Sequence, residues 1–547
     1  MFNPTLTKKN EKPMEVTANI KKLFQTIYRK QNKEEKSGDT PKIKVSELIS
    51  KMSFYYEKIR NTVDYKEENL LHKNAIERIL RRQIIIQGVK NENDIARHLL
   101  TELIRAGYLP NNQIEESKTY ELGKVIGKYI ALKKYCLAGL TKVNGAKSKM
   151  TDWIIAMAAC DLEERLGRDA VKQMVISNMY ETLRESIKLP EDLPYEKDKD
   201  IQIHIGIHRN YLKFDEEMIE FILFKYFNAG WPDAGDEEIA ALARNITSLR
   251  QAINNQVDHP LTGQLNRIIN GYTVYFTILT DVIEDDPTGV YEKIYTDPKA
   301  FPRLIKKFCN KRYKEVKSKL RRAGVRSITY IFLTKMILAV ILEVPVILWL
   351  GQTINNTSLA VNVAFPPFLL LLIILFTRLP AEANTAKIIE GIEEIVFEEK
   401  QRKKTFLLRK PAKRSKAMNI IFSAIYSITF FLSFGLVIWV LNKFYFSIVS
   451  IIIFLFFLTL VSFFSIRIRK VTRELIVVEQ KENIFKFLAD FFYVPIVEVG
   501  KWLSEKFSRL NVFVFILDFI IEAPFKIFVE MTEEWTKYVK ERKDEIV

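Results

Sequence analysis

The sequence predicts an all-α membrane protein: a cytoplasmic helical domain, four transmembrane helices in two hairpins, and C-terminal amphipathic helices at the membrane interface. Three observations carry this. Four long apolar runs occupy residues 328–350, 359–376, 418–441 and 444–466, each with about the 17–25 residues needed to cross roughly 30 Å of hydrocarbon as a helix. Basic residues crowd beside those runs. Elsewhere, apolar residues recur at helical rather than strand spacing.

At 547 residues the chain is too long for one core and leaves room for a soluble domain beside the membrane part. A net charge of +17 would raise nucleic acid as a partner, but the placement of the charge argues against it. Residues 306–326 hold ten basic residues and one acid, 400–416 hold nine and none, and 467–473 hold four and none. The whole basic excess therefore lies beside the membrane runs. Before the first run stand Lys317, Lys319, Arg321, Arg322 and Arg326. Between the second and third stand Arg402, Lys403, Lys404, Lys413 and Arg414, and after the fourth come Arg467, Arg469 and Lys470. These are read as topology signals and as contacts to anionic inner-leaflet headgroups, each contributing about 1 kcal/mol. The turn at 351–358 carries no charge and the turn between the last two runs carries only Lys443. Both turns are thus expected outside, and both termini in the cytoplasm, of a plasma (inner) membrane.

In chain order, residues 1–40 form a polar, partly disordered leader with one helix over 16–33 and no secretory apolar core. Residues 41–305 form the cytoplasmic all-α domain, with a sub-division near 189–200. Helical spacing covers 45–61, 66–87, 91–107, 113–135, 151–166, 168–187, 215–227, 236–257 and 261–283. In the 236–257 stretch, Ile239, Leu242, Ile246, Leu249 and Ile253 line one face of a single helix behind an Asp cap. Residues 306–326 are the basic juxtamembrane segment and 327–378 the first hairpin. Residues 379–417 form a basic cytoplasmic loop read as a helical hairpin, with Ile388, Ile389, Ile392, Ile395 and Val396 as its apolar stripe. The second hairpin is 418–466. In 467–547, charges such as Lys501, Glu505 and Arg509, then Asp518, Glu522 and Lys526, recur every four residues. That pattern forbids spanning and suits helices in the headgroup plane, broken at Pro495 and Pro524.

Cys136, Cys160 and Cys309 are far apart and without CxxC spacing, so reduced thiols are expected rather than a disulfide framework or zinc ribbon. The sequence holds no GxxxxGK[ST], GxGxxG, HExxH or GxSxG pattern, which weakens the common enzyme readings and implies no cofactor. The soluble candidates for chemistry are His204 and His208 in 201–209 (IQIHIGIHR). On a helix their spacing of four puts both imidazoles on one face, half of a metal site or an acid–base pair; the same stretch would also suit a short strand. The plainer alternative is a pair of hydrogen-bonded histidines. Residues 161–169 (DLEERLGRD) read as a solvated face with local ion pairs.

Two ionisable residues lie inside the first run, Lys335 and Glu343, and such residues are functional-site hypotheses by default. Lys335 is expected to snorkel toward the cytoplasm. Eight residues apart on a straight helix, the two would be offset by about 80° and ~12 Å, a poor geometry for pairing, so Glu343 calls for a partner on another span or subunit. Pro366 and Pro367 in the second run are expected to kink it.

The stretch 487–526 (FLADFFYVPIVEVGKWLSEKFSRLNVFVFILDFIIEAPFK) resembles the ends of uncharacterised multi-pass membrane proteins of small-genome, candidate-phylum-type bacteria. The resemblance implies a bacterial plasma membrane and no particular activity. Three function classes follow. The first is a non-enzymatic membrane-anchored scaffold or assembly factor whose helical domain recruits protein partners, with homo-oligomers also open. The second is a component of a channel, transporter or envelope-translocation complex using Lys335 and Glu343. The third is a membrane-associated enzyme acting on lipid or an acidic substrate through His204 and His208.

Overall fold

The computed structural model describes residues 15–32, 40–64, 68–89, 91–139, 145–167, 169–297, 299–351, 353, 355–377, 380, 382–400, 405–410, 415–478 and 484–509, and isolated positions between 524 and 543. They are helical almost throughout; the named strands are one two-residue parallel pairing, Ile187–Lys188 with Phe406–Leu407. The chain divides into two compact units. A membrane unit comprises Met1–Phe24, Asn270–Lys403 and Lys410–Asn511; a helical unit comprises Gln25–Ile269, Lys404–Arg409 and Val512–Val547. The division at Ile269/Asn270 falls inside the Thr262–Asp285 helix, whereas the sequence reading drew its lines at 305 and near 189–200.

In the helical unit, one core joins Ile76, Leu99, Ile126, Met157 and Phe224, from the helices Glu68–Arg81, Glu92–Arg105, Ser117–Gly139, Ala146–Leu166 and Glu216–Phe227. Caps set their starts. The Asn91 side chain accepts from the Asn93 amide, Asp169 from Val171 and Asp215 from Met218, satisfying amides that the first turn leaves unpaired. Gly107, at φ 79°, closes the Glu92–Arg105 helix in the left-handed region that glycine tolerates. The expected single helix over 236–257 is two, Asp236–Arg244 and Ile246–Val257, broken at Asn245. Gly235 rather than an Asp is the cap, its amide donating to Glu238.

The 161–169 face is not simply solvated. Asp161 is buried; it accepts from Tyr129 Oη at 3.1 Å and from Arg165 Nε at 2.7 Å, with Trp231 Nε1 at 3.4 Å. A periodic row of charges does not reveal which member turns inward; the aromatic donors that claim Asp161 come from distant segments.

Among the described residues of the membrane unit, four helices are long and apolar enough to cross a membrane: Ala300–Trp349, Asn356–Leu375, Lys416–Lys443 and Ile448–Lys470. They match the four apolar runs. The first is 50 residues long, about 75 Å at 1.5 Å per residue. Its first half lies outside the apolar run and carries the basic segment. There Arg312 holds Asp281 through two bonds, Nε–Oδ2 at 2.6 Å and Nη2–Oδ1 at 2.7 Å.

Among the described residues of the 379–417 connection there is one helix rather than a helical hairpin, Glu382–Val396, whose Ile388, Ile392, Ile395 and Val396 are buried, followed by a short 3₁₀ turn and the Phe406–Leu407 strand. The amino-terminal segment pins the end of that helix: the Thr17 amide donates to the Val396 carbonyl at 2.9 Å and the Glu398 amide to the Glu15 carbonyl at 3.0 Å. Residues 15–24 are thus a packed element that includes the start of the Ala18–Gln31 helix, where the sequence predicts a helix over 16–33, with Ile20, Leu23 and Phe24 buried. Asn384 ties down the chain leaving the fourth span. Its Nδ2 donates to the Leu475 carbonyl at 2.8 Å and its Oδ1 accepts from Val477 at 2.7 Å.

Pro495 does not break the C-terminal segment, because Ile484–Arg509 is one helix running through it. That helix packs on the third and fourth spans. Ser433 Oγ donates to the Phe492 carbonyl at 3.0 Å, Tyr493 Oη to the Ser462 carbonyl at 3.0 Å, and a Cβ at Gly500 would overlap the Thr459 carbonyl. The sequence reading placed this segment in the headgroup plane; its described part packs on two spans, whose small side chains admit its backbone. Asp518, Glu522 and Lys526 lie outside the described residues.

Candidate functional site

The site is built from the one interruption in the first span. Pro345 lacks an amide hydrogen, and its ring crowds the carbonyl four residues earlier. Immediately before it, Ala339–Glu343 forms a π turn between the Ala300–Leu338 and Val344–Trp349 helices. A π turn takes one extra residue, about 100° of helix rotation. The expected 80° offset between Lys335 and Glu343 is thereby cancelled to within about 20°.

The result reverses two expectations. Lys335 does not snorkel: its side chain, like that of Glu343, is 0% exposed. The two charges lie on one face, Nζ 3.8 Å from Oε2. Other spans complete the cluster. Glu343 Oε1 accepts from Asn362 Nδ2 of the second span at 2.5 Å and from Ser450 Oγ of the fourth at 2.8 Å. Asn362 Nδ2 also reaches the Ser450 carbonyl at 3.3 Å, and Lys335 Nζ sits 4.5 Å from the centre of the Phe457 ring. Lys335 Nζ, Glu343 Oε2 and Asn362 Oδ1 make no hydrogen bond to protein.

The second span reaches this site as one helix through Pro366 and Pro367. Its start is capped by Asn355, and Ser358 Oγ donates to the Phe444 carbonyl at 3.0 Å, joining the two hairpins at their short turns. The sequence flagged Lys335 and Glu343 but missed Asn362 and Ser450, which are unremarkable polar residues inside apolar runs. Only the helix packing brings them to the carboxylate.

His204 and His208 sit on the Glu196–Asn210 helix, which settles helix against strand. Their rings are 4.5 Å apart, flanked by Tyr180 and Phe214. His208 Nδ1 lies 2.9 Å from the His204 carbonyl and so donates to it. Burial, assisted by His204 and Lys225, pushes His208 down to about 3, and burial with Lys225 also lowers His204. Both are therefore neutral core imidazoles at pH 7. Among the described residues no group of three or more His, Cys, Asp or Glu could hold a metal. All three cysteines are buried and unpaired.

Elsewhere in the helical unit, buried Lys73 faces Asp215 at 3.2 Å, Glu77 at 3.5 Å and Glu217. Burial alone would lower its pKa, yet Asp215 and the other nearby acidic groups raise it, so it is a charged structural node. Of the predicted headgroup-contacting residues, Lys317, Lys319, Arg321, Arg322 and Arg326 lie on the first-span helix and Arg467, Arg469 and Lys470 on the fourth. Arg402, Lys403, Lys404, Lys413 and Arg414 fall outside the described residues.

Comparison with protein-family models, curated proteins and solved structures finds no match to this chain.

Proposed function

We propose that this is a polytopic protein of a bacterial plasma membrane that works as a non-enzymatic, membrane-anchored scaffold or assembly factor at the inner leaflet. The observation that carries the reading is the 50-residue first helix. It joins a membrane span and an extramembrane layer in one continuous run of helix, held by Arg312–Asp281 and by Asn384 against Tyr313. In this reading the basic ends of the spans rest on anionic headgroups, the short turns face outside, and the helical unit recruits protein partners.

A second reading, a channel, transporter or translocation component, is favoured by the ionisable pair buried within the spans, since such groups are costly unless used or partnered. For the third reading, an enzyme, His204 and His208 offer two neutral, packed rings and thus little support.

Two measurements separate the first two readings. Extracted in mild detergent, the chain should migrate in an assembly larger than itself that is lost on deleting 41–269; an unchanged assembly would sink the recruiting role. Reconstituted in dye-loaded vesicles under a membrane potential, it should pass no protons or cations beyond the lipid background. A flux abolished by Glu343→Gln would establish the second reading instead.

A further inference from the structure

The connection between the second and third spans lends a short linear segment to the helical unit. Lys404–Arg409 belongs to that unit, although the chain on either side of it belongs to the membrane unit. Phe406–Leu407 runs parallel to Ile187–Lys188, the extended end of the Ala170–Ser186 helix, and the Leu408 amide donates to the Lys188 carbonyl at 3.0 Å. The side chains alternate as in a strand: Phe406 is half-buried, Leu407 is 67% exposed and Leu408 is 2% exposed. The next donor of this ladder would be residue 190, a proline without an amide hydrogen. Gln264 takes over there. Its Nε2 donates to the Arg409 carbonyl at 2.7 Å and its Oε1 accepts from the Arg409 amide at 2.8 Å, so one side-chain amide does for Arg409 what a neighbouring strand would do.

We propose that this groove is a peptide-recognition site for an extended aromatic-x-leucine segment of a partner protein, and that Phe406–Leu408 is a resident ligand occupying it in cis. What grips the segment is general. The main-chain bonds are open to any extended chain, and selection falls to one closed pocket at Leu408 and one half-open one at Phe406. Arg409 and Lys410 are exposed, so the groove reads the apolar pair rather than the charge beside it. This is recognition by strand addition, in which the backbone supplies affinity and alternate side chains supply specificity. The pairing is two residues long, too short to hold by itself. It depends on the leucine anchor and on Gln264.

Tethered at both ends, the resident segment stands at an effective concentration on the order of millimolar. A partner at micromolar levels therefore enters only where its own segment binds better, or once the resident one has been withdrawn. Recruitment at the helical unit is thereby coupled to release of the loop between the second and third spans. The inference rests on the scaffold reading above and names the site at which that recruitment takes place.

The test is fluorescence anisotropy of a labelled peptide, residues 404–410 (KTFLLRK), with the full chain in a neutral detergent. Leu408→Asp, whose carboxylate the pocket would have to bury, expels the resident segment and should bind the peptide about tenfold or more tightly than the wild type, whose groove is filled. A peptide carrying Leu408→Ala should lose about tenfold or more in affinity for that variant, the effect of one missing buried leucine. Leu407→Asp, on the outward side, should behave as the wild type does. Leu408→Ala serves in the chain if Leu408→Asp does not fold. Equal binding by the wild type and the folded Leu408 variant, or no binding by either, overturns the inference. A chain that takes no peptide yet loses its detergent assembly on deletion of 41–269 sinks this site and leaves the scaffold reading standing. Peptide binding with an unchanged assembly does the reverse.

Discussion

Gly500 lies against the carbonyl of Thr459, so close that a β-carbon would overlap its oxygen. The contact decides whether the C-terminal helix can seat on the fourth span. Gly500→Ala should therefore cost about 1–3 kcal/mol, the usual penalty for overpacking, and expose the Ile484–Arg509 helix to protease. Gly435, on the third span, has open space at its Cβ position, so Gly435→Ala is the matched control and should leave the thermal midpoint unchanged.

The Lys335–Glu343 pair should be strongly non-additive. Breaking a buried pair by removing one partner costs about 3–5 kcal/mol, because the other charge is stranded. Lys335→Met and Glu343→Gln should each destabilise the chain to that extent, and the double variant by less than their sum. A denaturant double-mutant cycle in detergent measures the coupling, and strict additivity would mean that the 3.8 Å approach carries no energy.

Asn384 should govern the chain leaving the fourth span. It bonds Leu475, Val477 and Val478 from one buried amide. Asn384→Ala should raise deuterium uptake at Val477 and Val478 by about tenfold, given roughly 1–1.5 kcal/mol per lost hydrogen bond. Peptide-level exchange followed by mass spectrometry reads this directly.

His208 links the helical unit to pH. Burial lowers its folded-state pKa to about 3, below the unfolded value of about 6.5. The unfolded chain therefore binds the proton first. The associated stability is complete above pH ~6.5 and is lost as pH falls from there toward 3, by at most roughly 5 kcal/mol. By NMR, the His208 ring, identified by its loss in His208→Gln, should remain neutral at pH ~5, where an ordinary histidine is charged. A His208 signal titrating near the ordinary value would refute the burial argument.

A reporter active only outside the cytoplasm should be active when fused after Asn356, in the short turn, and silent when fused within 400–416. The reverse pattern would invert the charge-based orientation.

The spans were legible in the sequence because twenty apolar residues in a row have few other uses. Helix starts at Asn91 and Asp215 were legible because a capping side chain acts within its own turn. The site was half legible. Lys335 and Glu343 stand out as charges in an apolar run, but their pairing depends on a π turn, an insertion that ideal periodicity does not register. Asn362 and Ser450 are assigned only by which helix faces carry them together. The Asn245 break escaped for a related reason: the apolar stripe continues across it, Ile239 and Ile253 both being buried, although the backbone does not.

The π turn also makes the first helix a lever with a built-in pivot. Before it, the 39 residues Ala300–Leu338 form an arm of unbroken α-helix about 58 Å long. A bend of ~10° at the pivot would swing the far end by roughly 10 Å. A bend set off by a change in the few atoms around Glu343 would thereby be magnified at the opposite end of the arm, in the half of the helix that lies before the apolar run.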